Sequence, residues 1–226
     1  MADAAAAEAA VVALQLGRPP RGLRQIAHYC PCGLPDVVET APRLADGTPF
    51  PTLYYLTCPR AVAAISRLEA AGVMRQMQER LASDAALRAA YRAAHRDYLA
   101  RRDEAARAAG VAPLPSGTQS AGGMPGRVKC LHALAAHELA VPGANPLGRE
   151  AVAAAGPWWA PGPCVDLESP RVTPGNTSLE AGTPQAPGRT PHKAPQAPLR
   201  CPGAEDTLPE AREAPRGRPP AREAES

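Results

Sequence analysis

Five of the six cysteines fall in the first 165 residues, and their spacing suggests metal chemistry. Cys30 and Cys32 flank a proline in HYCPCGLP, Cys58 precedes Pro59, Cys130 lies in VKCLHALAAH, and Cys164 closes PWWAPGPCV. Proline-rich turns leave neighbouring sulfur atoms pointing to one side, and a tetrahedral Zn site takes four Cys or His ligands. Cys30, Cys32 and Cys58 offer three from one hairpin-like region. The fourth has to come from Cys130, Cys164, His132 or His137. If Cys130 and His137 share a helix, their seven-residue separation puts them roughly 10 Å apart, too far for one ion. His132 lies about 200° around such a helix from Cys130, so that pair acts together only if Cys130 precedes the helix. The expected set is therefore Cys30, Cys32, Cys58 and Cys130, with Cys164, His132 and His137 as alternatives for the last place. An i, i+2 disulfide between Cys30 and Cys32 is strained. Four thiolates also suit an iron-sulfur cluster, and free cysteines also serve as small buried side chains.

A second chemistry-bearing stretch is GGMPGRVK. Gly122 and Gly123 precede a helix start, with Arg127 and Lys129 nearby, a pattern that could hold a phosphate on backbone donors. The Walker pattern is absent, and a plain loop explains the stretch equally. His28 reads as a strand residue or a supporting donor to the thiols, and His95, beside Tyr91 and Tyr98, as a packed histidine. Asp36, Glu39 and Asp46 sit in turn-rich context, and no serine occupies a nucleophile elbow.

These residues need elements to position them. Residues 4 to 16 form an alanine helix closed by Gly17 and two prolines. Leu23 to Tyr29, Val37 to Thr40 and Thr52 to Thr57 read as strands of a small antiparallel sheet, separated by the CPCG and DGTPFP turns. Helices follow from Pro59. Ile65 and Leu68 mark one apolar stripe, Met74, Met77 and Leu81 a second, and Leu87, Tyr91, Ala94, Tyr98 and Arg102 recur at helical spacing after a Ser83 or Asp84 cap. The methionines could line a partner groove or simply fill the core. A last helix is expected over about Arg127 to Ala140, with PWWAPGPCV packed on the domain. The fold class is α+β, a small N-terminal antiparallel sheet packed with three or four helices. The expected organisation is a helical extension over 1–14, the cysteine-containing domain over 15–165, and a disordered Pro/Ala-rich tail over 166–226; 15 of the 28 prolines lie from Pro157 onward, where large apolar residues are few.

A net charge of +3 and an aromatic content of 4% argue against a nucleic-acid surface. No stretch approaches the roughly 20 apolar residues of a membrane span, and the first residues carry Asp3 and Glu8 where a secretory peptide would be basic. The expectation is a cytoplasmic protein with reduced thiols and no membrane partner.

LGRPPRG, CPCGLPDVVETAPRLADGTPFPTLYYLTCP, the GGMPGRVKCLHALAAH run and ANPLG together resemble the bacterial family called domain of unknown function 501, over about Gln15 to Val165. The family occurs mainly in high-GC Gram-positive bacteria and has no established activity. The resemblance implies a gene-neighbourhood link to cell division or polyphosphate metabolism. The expected function is a Zn-stabilised interaction module with a protein partner. The alternatives are an enzyme using a Cys/His site or the phosphate loop, and an iron-sulfur protein.

Overall fold

The computed structural model describes residues 2–167. The expected tail, apart from Asp166 and Leu167, lies outside them, as does Cys201. Alanine, the best helix former, fills α1 (Ala2–Leu16). This helix packs on the domain through fully buried Val12, and Gln15 Nε2 donates to the Pro35 carbonyl at 2.6 Å.

The sheet is antiparallel, in the order β1 (Leu23–Tyr29), β2 (Pro35–Thr40), β3 (Tyr54–Leu56). HYCPCGLP makes the first hairpin turn. The Cys30 amide donates to the Leu34 carbonyl and the Gly33 amide to the Cys30 carbonyl, both at 2.8 Å. Gly33 has φ 87°, a conformation that only glycine adopts without strain. Central strand β2 is the most buried, with Val37 and Val38 at 0% and 2% exposure.

Among the described residues five helices follow, α2 (Pro59–Ala70), α3 (Val73–Ser83), α4 (Ala85–Ala108), α5 (Leu131–Ala140) and α6 (Pro146–Ala155), with α5 lying against the strands and the others packed around it. Pro59 starts α2, where its missing amide hydrogen is no loss, and the Asp84 carboxylate caps α4 by accepting from the Leu87 amide at 3.0 Å. The stripe of Leu87, Tyr91, Ala94, Tyr98 and Arg102 is buried throughout. Tyr98 carries the α4 face onto the sheet, its hydroxyl accepting from the Leu53 amide at 2.6 Å. Met77 and Leu81 are core residues, not a groove. No described helix is long and apolar enough to cross a membrane.

Two helix boundaries depart from the sequence expectation. The helix expected from Arg127 begins at Leu131, because Cys130 is extended at φ −156°, ψ 111° and serves as its N-cap residue. Beyond it, α6 was not expected. The Asn145 side chain caps it by accepting from the Gly148 amide at 2.9 Å, with Pro146 in the first turn. The α4, α5 and α6 helices are joined by a buried polar chain. His137 Nε2 donates to Asp97 Oδ2 at 3.1 Å, and its Nδ1 accepts from Asn145 Nδ2 at 3.4 Å. Glu138 accepts from the Gly143 and Asn145 amides at 2.8 Å each, fixing the α5–α6 turn.

Candidate metal centre

Val62, Ser66 and Glu69 are spaced at four and then three residues, so α2 presents them on one face that runs from its first turn to its C-terminal end. The start of α5 meets that face. The Leu131 amide, one of the helix's first donors and without an intrahelical acceptor, donates to Glu69 Oε1 at 2.7 Å. This brings His132 and Cys130 to the same carboxylate. His132 Nδ1 lies 3.2 Å from Glu69 Oε1 and 3.9 Å from Cys130 Sγ. Its Nε2 lies 3.2 Å from the Val62 carbonyl and 3.1 Å from Ser66 Oγ.

Glu69, Cys130 and His132 each offer one ligand atom, and the three atoms lie within 4.8 Å of one another. Among the described residues no other set of three meets that test. The side chains of Glu69 and His132 are each 24% exposed, so the site is neither sealed nor fully solvated. Burial opposes the charge on His132. The hydrogen bonds and charges of Cys130 and Glu69 outweigh it and push the imidazole up to about 10. Burial likewise opposes the Glu69 charge, yet the hydrogen bonds from His132 and Leu131 leave its carboxyl below the usual value.

The expected ligand set is divided by the fold. Cys30, Cys32, Cys58 and Cys164 gather around Ala61, Ala64 and Trp158 at the N-terminal end of α2. Cys130 is at the other end, since Cys58 and Glu69 are separated by eleven residues, about 16 Å of helix. A single ion therefore does not join Cys130 to Cys30, Cys32 and Cys58. Cys164, one of the alternatives, is the cysteine that comes to those three. His132 and Cys130 do come together, and the condition for it holds, since Cys130 precedes the helix. Glu69 gave no sequence signal of its own, because its role depends on α5 crossing α2.

His137 has Asp97 and Asn145 as its hydrogen-bond partners, not a thiol. It is fully buried, stacked on Tyr54 with centroids 6.0 Å apart and edge-to-face with Tyr98 at 5.2 Å. Burial lowers its pKa more than the Asp97 hydrogen bond raises it. A neutral His137 stabilises the fold fully above the unfolded value of about 6.5, and that contribution is lost as pH falls through the lower folded value. His95, also lowered by burial, acts in the same direction from a more exposed position. We expect denaturant midpoints to fall as pH drops below about 6.5, with a shallower slope in His137→Gln; an unchanged slope in that variant would assign the dependence elsewhere.

The phosphate expectation meets a different geometry. The Arg127, Lys129 and Val128 amides already donate to Gly123 O, Gly122 O and Gln78 Oε1 at 2.9, 2.7 and 2.9 Å. Glu69 occupies the α5 N-terminus where an anion would bind. The glycine pair is explained by packing. A Cβ on Gly122 would lie 2.5 Å from Leu134 Cδ2, and one on Gly123 would lie 2.7 Å from the Arg127 carbonyl oxygen. Arg127 and Lys129 do line a pocket of about 420 Å³ with His95. At the first hairpin, His28 Nδ1 pairs with Asp36 Oδ1 at 2.6 Å.

The family described as protein of unknown function (DUF501) matches residues 26–153, more than half of the chain. The match spans Glu69, Cys130 and His132 and stops short of Cys164. No curated protein and no solved structure matches the chain.

Proposed function

The chain belongs to the DUF501 family of proteins of unknown function, and on that premise we propose that its domain binds one zinc ion through Glu69, Cys130 and His132. The observation that supports this reading is the convergence of a sulfur, an imidazole nitrogen and a carboxylate oxygen within 4.8 Å. The other His132 nitrogen faces a backbone carbonyl, the usual way a metal-ligating imidazole is oriented. One thiolate, one imidazole and one carboxylate suit Zn, whereas an iron-sulfur cluster takes a set rich in thiolates. Three protein donors leave a fourth position for solvent or for a side chain of a partner protein. Closed structural sites, by contrast, take four protein donors.

Elemental analysis of the purified full-length chain should find about one zinc per chain. In competition with a chromogenic chelator, Cys130→Ser and His132→Ala should each weaken zinc by roughly a hundredfold or more, and Ser66→Ala by about tenfold, as an orienting group does. Cys32→Ser should leave zinc content unchanged. If Cys32→Ser strips the ion and Cys130→Ser does not, the site assignment fails.

The 3.9 Å approach of His132 to the Cys130 sulfur favours a second reading, in which Cys130 is a reactive thiol. Faster alkylation of Cys130 than of Cys32 in metal-free protein, slowed by His132→Ala, would support it.

A further inference from the structure

Cys58 and Cys164, 106 residues apart in sequence, meet at the N-terminal end of α2. Cys58 is 1% exposed and stands immediately before the helix with no side-chain capping bond. The segment after α6 carries Cys164 there. Trp158 is buried beside Cys58, Ala61 and Ala64, Arg60 Nη1 donates to the Gly162 carbonyl at 2.6 Å, and Gln15 Nε2 donates to Cys164 Sγ at 3.3 Å. Cys58 and Cys164 belong to one packed cluster with Ala61, Ala64 and Trp158, close enough for each thiol to shift the other's titration.

Their surroundings are unequal. A pocket of about 520 Å³, lined by Leu34, Arg60 and the 163–167 segment, opens on Cys164 and not on Cys58. A sulfur that accepts from Gln15, beside Arg60 and the positive end of α2, is a favoured place for negative charge.

From this arrangement we propose that Cys164 is an oxidation site for small hydroperoxides, with Cys58 as the thiol that resolves it into a disulfide. The Cys164 thiolate attacks the outer peroxide oxygen, the O–O bond breaks, and the departing alkoxide takes a proton from water. Cys164 is then a sulfenic acid. The Cys58 sulfur attacks the sulfenic sulfur, its proton leaves with the displaced hydroxide as water, and the S–S bond forms. Two thiols have lost two electrons and the peroxide has gained them. The first step is matched to the electrostatics. The neighbouring Cys58 thiol lowers the Cys164 pKa most, burial opposes it, and Gln15 and Arg60 assist, bringing it down to about 6. Cys58, next to Cys164 and buried, is shifted upward and keeps its proton until the second step.

The test uses the reduced full-length chain with equimolar hydrogen peroxide at pH 7, alkylation of remaining thiols, and peptide mass spectrometry without reduction. A Cys58–Cys164 linked peptide is expected as the main product. In Cys58→Ser, a dimedone adduct should accumulate on Cys164 about tenfold faster than on the cysteine of a short reference peptide, since an ordinary thiol is only a few per cent ionised at that pH. Cys58→Ser keeps a good helix-capping residue at that position, and its circular dichroism should match wild type. A main product linking Cys30 to Cys32, or a Cys164 no more reactive than the reference peptide's cysteine, would overturn the proposal. The same linked peptide should form in Cys130→Ser, which lacks the proposed zinc ligand; its loss there would also overturn it.

Discussion

Gly148→Ala should lower the melting temperature by roughly 6–12 °C, the loss expected for about 3 kcal/mol in a chain of this size. The reason is a backbone approach that no rotamer change can relieve. A Cβ at position 148 would press into the Leu134 carbonyl oxygen, with the Leu134 carbonyl carbon 2.8 Å away and Glu138 Cβ 3.0 Å away. Helix α5 cannot retreat, because Leu134 is held from another side by the Gly122 loop, where an added Cβ would already meet it at 2.5 Å. The strain would pass to Asn145, which caps α6 through the Gly148 amide and bonds to His137. Gly126→Ala is the matched control. It has open space around its Cβ and no left-handed backbone, so its effect should stay within about 0.5 kcal/mol. Differential scanning calorimetry of both variants checks this; a Gly148→Ala chain as stable as wild type would mean that α6 does not sit on α5 at this distance.

Zinc should stabilise the wild-type chain by about 2.7 kcal/mol when its free concentration is a hundredfold above its Kd, or about 5–10 °C in melting temperature. The ion would tie the end of α2 to the start of α5, two elements some sixty residues apart, and so would have little affinity for the unfolded chain. The increment should vanish in Cys130→Ser and be reversed by a chelator. Its pH dependence follows from His132. With a folded value of about 10, the imidazolium of the metal-free protein stabilises the fold fully below about pH 6.5, and that contribution is lost as pH rises through 10. Zinc must displace that proton, so the thermal increment should be larger at pH 8 than at pH 6. A shift of equal size in wild type and Cys130→Ser would show that zinc acts elsewhere.

The sequence carried the fold well where local rules operate. The α4 stripe from Leu87 to Arg102, the hairpin at CPCG and the glycine stop of α1 all follow from periodicity, turn chemistry and capping. Asn145 followed by Pro146 is also a local helix-start signal. It is masked by Gly148, a poor helix former present because two backbones cross there. The site was legible in part. Cys130 and His132 were visible as candidates, and so was the condition under which they act together. Their partner Glu69 was not, since nothing near it in sequence separates it from an ordinary surface carboxylate. The division of the thiols was equally hidden. It depends on α2 being a rigid twelve-residue spacer with Cys58 before one end and Glu69 near the other, a length the sequence shows but whose direction across the sheet it does not.

Both tryptophans of the chain, Trp158 and Trp159, stand edge-to-face with ring centroids 4.9 Å apart in the segment that carries Cys164. Both pack in the cluster that contains Cys30 and Cys58. Intrinsic tryptophan fluorescence therefore reports on one small region, the seating of this segment against the N-terminal end of α2. An emission change without loss of helical circular dichroism would record that segment lifting from an otherwise intact domain.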